Sequence, residues 1–225
     1  MNIFLKFALP VVGALSFAGV ANAVVVPGVY NTGLGVGGAA LAAGDGQVDA
    51  NYIVTSSTNA AIVPGSHALT YYNPAYLMDG PLSRIVNATG DGNGGTGETT
   101  TFATTFSLLG FDSFNATLSG QALFDNSGEI FLNGNQVGGT ISGFGTLAPF
   151  GTNANFFNAG LNTLSFTLHN VSGPEAFQVA GLTVTAARIP VVGGVPEPRS
   201  WALFVVGFGM VGATMRRRTI KTVAA

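Results

Sequence analysis

The sequence predicts an all-β fold, an antiparallel β-sandwich over residues 24–190 with one apolar segment at each end of the chain. Three observations predict it. Short runs alternate apolar and polar residues at period two, Gly- and Asn-rich stretches separate those runs, and no segment between the ends repeats convincingly at period 3.6.

Composition agrees with that reading. Of 225 residues 33 are Gly, only 8% are charged, and the mean hydropathy is +0.44. Disordered chains pair low hydrophobicity with high net charge, a combination absent here. The net charge of −2 conceals an asymmetry. Residues 24–190 hold nine acids against two cations, Arg84 and Arg188, a balance of −7, while the other six cations lie near the ends. Such a surface repels phosphate backbones, so no nucleic-acid partner is expected. The chain has no Cys, which excludes disulfides, thiolate metal sites and a Cys nucleophile. A body of about 170 residues is long enough to bury a core without them.

The first element is a targeting segment. Lys6 precedes a mostly apolar stretch from Phe7 to Val20, and Ala21-Asn22-Ala23 follows it. A cation, an apolar run and a small-x-small site make a secretory signal peptide over residues 1–23, cut between Ala23 and Val24. The Sec export machinery is the expected partner. The apolar run contains Pro10 and is short for a membrane span.

Strand signals are weak from Val24 to Asn51, and Tyr52-Ile53-Val54-Thr55 reads as the first strand. Tyr71, Tyr72 and Tyr76 then crowd around Pro74, and residues 91–97 read as a long flexible turn. Beyond that turn the alternation sharpens. Phe102, Thr104, Phe106 and Leu108 share one face, as do Ala116, Leu118, Gly120, Ala122 and Phe124. Ile130 and Leu132 lead into Asn133-Gly134, a strong two-residue hairpin signal. Leu164, Phe166 and Leu168, and later Leu182, Val184 and Ala186, alternate with Ser, Thr and His. One face in and one face wet is the pattern of antiparallel strands.

The last elements are a linker at 191–200, an apolar segment with its arginines at 201–218, and a tail at 219–225. Two prolines keep Glu197 in an extended, protease-accessible backbone. Trp201 stands where an aromatic anchors at a membrane interface, and Arg216, Arg217 and Arg218 follow as a cytoplasmic stop. Trp201 to Met215 would reach about 22 Å as a transmembrane helix, a thin span that needs local bilayer thinning.

Pro196-Glu197-Pro198, two further residues, Trp201-Ala202, the apolar segment and the arginine cluster together resemble a PEP-CTERM sorting signal of the PEPxxWA variety. The resemblance implies an exosortase as processing enzyme. It also implies an inner-membrane-anchored precursor held transiently by the C-terminal helix, and a final place on the surface or in the exopolysaccharide matrix of a biofilm-forming Gram-negative bacterium. Pro196, Glu197, Pro198, Trp201 and Ala202 are its recognition positions. Residues 99–187 in turn resemble a galactose-binding-like jelly roll, which implies a binding or structural module with exopolysaccharide as a possible partner. The Trp residues on which such modules often stack sugars are missing, because Trp201 is the single Trp.

No catalytic constellation emerges. His169 lies on the polar side of its strand with Ser165 and Thr167, His67 reads as a loop residue, and no Gly-x-Ser-x-Gly elbow accompanies either. Glu98, Glu129 and Glu175 each read as lying beside a turn, and nothing selects a pair for glycoside chemistry. Asp125-Asn126-Ser127-Gly128-Glu129 reads as an Asx-rich turn whose Asp125, Asn126 and Glu129 oxygens could suit calcium, the one cofactor considered. Tyr71, Tyr72 and Tyr76 either stack a sugar or cover a core edge. The expectation is an exported, non-enzymatic surface or matrix protein that binds polysaccharide. A purely cohesive protein and an extracellular hydrolase are the alternatives.

Overall fold

The computed structural model describes residues 22–77, 79–190 and 198–216. Most of the signal segment, including Ala21, lies outside them, as do Pro196, Glu197, Arg217 and Arg218 of the sorting region. The chain divides into two units, Met1–Ile189 and Pro190–Ala225.

Ten strands build the described part of the first unit. They are β1 (Ala23–Val25), β2 (Val48–Ser57), β3 (His67–Thr70), β4 (Val86–Asn87), β5 (Glu98–Ser107), β6 (Thr117–Leu132), β7 (Asn135–Gln136), β8 (Ile141–Thr152), β9 (Leu161–Asn170) and β10 (Ala176–Ala187). Every pairing is antiparallel. The order β10-β4-β3-β2-β5-β9-β6 returns to β10, so the sheet closes on itself in the manner of a barrel, with β1, β7 and β8 as additions. The expected all-β antiparallel body is present, and its sandwich takes the form of one sheet closed on itself. The 16-residue β6 runs through the seam, pairing over Thr117–Asp125 with β10 and over Ser127–Leu132 with β9. One long strand with two successive partners joins what would otherwise be the two layers.

The alternating residues form the core. Phe102, Phe106 and Leu108 are buried, as are Leu118, Ala122, Phe124, Ile130, Leu132, Leu164, Phe166, Leu168, Val184 and Ala186. Phe177 on β10 is the hub. Its ring lies 4.7 Å from that of Phe102, 5.7 Å from Phe166 and 6.0 Å from both Phe124 and Tyr52. Offset and edge contacts at these distances add to the burial of each ring. Asn133 (φ 51°) and Gly134 (φ 82°) take the left-handed conformations that a tight two-residue hairpin needs, and Leu132 pairs with Asn135 across them.

The second unit contributes α1 (Pro198–Arg216), whose first turn carries the proline that helix starts favour. Its side chains from Trp201 to Arg216 are exposed, Leu203 at 78% and Phe208 at 75%. Among the described residues no helix is long and apolar enough to cross a membrane. The expected transmembrane helix is corrected to that extent. The apolar stretch ends at Met215, Gly207, Gly209 and Gly212 dilute it, and Arg199 and Ser200 occupy its first turn.

Candidate functional site

The tyrosines converge on a hollow beside the β3–β4 connection. After β3 the chain turns at Asn73-Pro74: Ala75 N donates to Asn73 Oδ1 (3.0 Å) and Tyr76 N donates to Asn73 O (3.0 Å). Proline fixes the turn and the Asn side chain mimics a backbone acceptor. The result sends Tyr76 inward, 7% exposed, while Tyr72 remains 60% exposed. Tyr71 meets Tyr76 edge to face at 5.8 Å, and Tyr76 lies 4.9 Å from Phe144 of β8. Leu77 N donates to Phe144 O (3.0 Å), tying the segment to that strand.

Tyr71, Tyr72 and Tyr76 line a cavity of about 150 Å³, floored by Ile85 and flanked by Asp79. A second hollow of about 360 Å³ adjoins it, sharing Tyr72 and Asp79 and adding Arg84. Asp79 accepts from Ile85 N (3.0 Å), and its other oxygen lies 3.6 Å from Arg84 Nε. Burial raises the Asp79 carboxyl above its ordinary range, against the opposing pull of Ile85 N–H and Arg84. Arg84 is held in turn by Leu41 O through Nε and Nη2 (3.2 and 3.0 Å). The exposed Tyr72 ring beside a fixed carboxylate and guanidinium is suited to a ring that is apolar on one face and hydroxylated at its edge.

Behind the pocket the Tyr76 hydroxyl donates to Asp125 Oδ2 (2.5 Å) and lies 3.2 Å from Pro174 O. Burial first, and then the Asp125 hydrogen bond and charge, push the Tyr76 phenol far above its ordinary range. Burial likewise raises Asp125, with the Tyr76 hydrogen bond opposing. Of the three tyrosines, therefore, Tyr76 is a wall and Tyr72 the accessible face.

Of the Asp125-Asn126-Glu129 group the structure joins Asp125 to Asn126 and gives Glu129 different partners. The stretch is not a turn but the middle of β6, because it pairs with both β8 and β9. Asp125 is committed to Tyr76, and Asn126 Oδ1 accepts from Val171 N and Ser172 N (2.7 and 3.3 Å). Glu129 Oε2 lies 2.5 Å from His169 Nε2, and its Oε1 accepts from Thr140 (3.0 Å). Asn126 Nδ2 also donates to Asp125 Oδ1 (3.0 Å), whereas Glu129 has other partners, His169 and Thr140. Among the described residues no three His, Cys, Asp or Glu side chains gather into a metal-binding group.

His169 Nδ1 also lies 3.1 Å from Thr99 Oγ1, which completes a hydroxyl–imidazole–carboxylate row. The row runs across neighbouring strands beside a Thr101–Thr167 contact (3.3 Å), as a ladder of polar side chains on the wet face of the sheet. His67, expected in a loop, instead opens β3, with Nδ1 2.7 Å from Asp49 O.

The burial of two acids was not visible in the sequence. Asp49, fully buried, accepts from Gly33 N (2.6 Å), Asn51 N (2.7 Å) and Tyr52 N (3.3 Å), and so fixes the start of β2. Glu175, fully buried just before β10, has no such partners. At the two ends of the body, Ala23 and Val24 pair with Ala187 and Ala186, which places the expected cleavage point on the edge strand β1. Pro198, Trp201 and Ala202 lie in the first turns of α1, and Arg216 ends it.

No protein-family model matches the chain, and no curated protein matches it.

Proposed function

We propose that this chain is an exported surface or matrix protein whose closed β-sheet body is a non-enzymatic polysaccharide-binding module. The observation that carries the reading is the pair of adjoining hollows that share Tyr72 and Asp79. A glycan chain laid across them would place one sugar on the Tyr72 ring and its neighbour's hydroxyls at Asp79 and Arg84. In this reading the closed sheet is a variant of the galactose-binding-like jelly roll.

The ends support the setting. Their signal-peptide and PEPxxWA-CTERM patterns argue for Sec export, transient tethering of the precursor in the inner membrane, and exosortase processing near Pro-Glu-Pro. The apolar run from Trp201 to Met215 supports the tether, since a single helix of this length is marginal in water and gains from an apolar environment.

Retention of the purified protein on the producing bacterium's own exopolysaccharide tests the binding. Wild type should be held and Tyr72→Ala released; equal retention of both removes the pocket from the proposal. Mass spectrometry of protein from the native host tests the sorting, with a species from Val24 to near Pro196 expected. Mature protein that still ends at Ala225 sinks it.

A cohesive protein without sugar specificity is the second reading. The 12-residue β8 supports it, since among the described strands β8 is hydrogen-bonded only to β6 and so offers an open edge to another chain. Concentration-dependent self-association in the absence of glycan would favour it.

A further inference from the structure

Glu175 is fully buried, yet neither of its carboxylate oxygens has a hydrogen-bond partner. The side-chain oxygen of Asn170, itself 2% exposed, is also unpartnered. Both residues are fastened to one glycine-rich turn, residues 91–97. Asn170 Nδ2 donates to Gly95 O (2.8 Å) and Gly97 N donates to Asn170 O (2.8 Å). Glu175 N donates to Gly92 O (2.8 Å). The turn, expected to be flexible, is thus pinned, and Asn59 Nδ2 donates to Gly94 O (2.8 Å) from its far side.

Gly94 is shaped to the carboxyl. A Cβ on Gly94 would stand 1.7 Å from Glu175 Cδ, so any other residue would occupy the place of the acid. Gly94 therefore packs directly against the buried carboxyl, an approach that only a residue without a Cβ permits. Glu98 and Asp125 add negative charge nearby. Neither arginine of the body serves it: Arg84 is engaged with Asp79, and Arg188 lies over the Phe111 ring at 5.0 Å. A buried carboxylate with no donor and no counter-ion is costly, and native proteins relieve that cost with a proton or a cation.

We propose that Glu175 and Asn170, together with carbonyl oxygens of the 91–97 turn, bind a hard divalent cation, namely calcium at extracellular concentration. The unpartnered donors are one carboxylate and one amide oxygen, hard ligands that suit calcium and offer nothing to thiophilic or imidazole-seeking metals. With a single charged ligand the affinity belongs to the weak extracellular class, about 10⁻⁴–10⁻³ M. The site differs from the Asp125-Asn126-Glu129 group, whose oxygens are already engaged, and it does not depend on the sugar reading.

Calcium titration of the purified full chain, at mildly alkaline pH after chelation, tests the proposal. Thermal melting should shift upward with millimolar calcium and saturate, and terbium luminescence sensitised by tyrosine should appear and be displaced by calcium. Glu175→Gln should lose both responses, while Glu129→Gln should keep them. The absence of any calcium response in the wild type overturns the proposal, as does a Glu175→Gln protein that responds like the wild type. Should Glu175→Gln fail to fold, calorimetric titration of the wild type decides alone, and no saturable heat in the millimolar range is the negative result.

Discussion

Phe177 and Glu175 stand two residues apart at the start of β10, and both are fully buried, yet they do opposite things. Phe177 is surrounded by four aromatic rings within 6.0 Å and specifies the closed sheet. Glu175 has no partner for either oxygen and spends stability that the core supplies. Equal burial therefore carries no single meaning. Its sign depends on whether the environment completes the side chain, and a buried polar group left incomplete calls for an explanation other than packing.

The largest effect is expected at the hub. Phe177→Ala should cost about 3–5 kcal/mol in chemical denaturation, because the four neighbouring rings cannot collapse into the space. A loss near 1 kcal/mol would mean that the core is not organised around Phe177.

Glu175 should answer to pH in the opposite sense. Burial, and then the carboxylates of Asp125 and Glu98, push the Glu175 carboxyl from its ordinary 4.5 up to about 7. The titratable groups facing it are those two acids and the Tyr76 phenol. A carboxyl raised on folding holds its proton in the native state, so its contribution is complete below about 4.5 and is lost as pH rises through about 7, a change of about 3 kcal/mol. Without calcium, denaturation midpoints should fall across that window in the wild type and stay level in Glu175→Gln. Equal slopes in the two proteins would remove the contrast.

Smaller effects sharpen it. Gly134→Ala should cost about 1 kcal/mol, since φ of 82° strains any residue with a Cβ, and thermal melting would register it. Tyr72→Ala should change stability by less than about 0.5 kcal/mol, as expected of an exposed side chain, while lowering polysaccharide retention. A Tyr72→Ala protein that melts several degrees lower would instead place that ring in the core.

Rings around the hub were legible in the sequence, whereas Phe177 itself and the burial of Glu175 were not. Phe102, Phe106, Leu164 and Phe166 announce their face by alternation, and Asn133-Gly134 announces its hairpin, because both signals are local. The closure of the sheet was not legible, since the exchange of partners along β6 is a long-range choice. Asp125–Glu129 has the composition of a turn, but pairing with β8 and β9 overrides that preference. The tyrosine cluster could be seen, though not the division between Tyr76 as wall and Tyr72 as face, which Asn73-Pro74 and Asp125 impose. Glu175 reads as an ordinary acid beside a turn, and only the approach of Gly94 from the distant 91–97 turn reveals its burial.

The pairing of Ala23 with Ala187 has a practical outcome. Entry to and exit from the body are neighbouring positions on antiparallel strands, about 5 Å apart. A few added residues could therefore splice them into a loop, and the backbone could be reopened at the exposed Gly138-Gly139 bend between β7 and β8. A circular permutant built this way should keep every strand and its register, with neither residues 1–22 nor the apolar C-terminal segment in the recombinant chain.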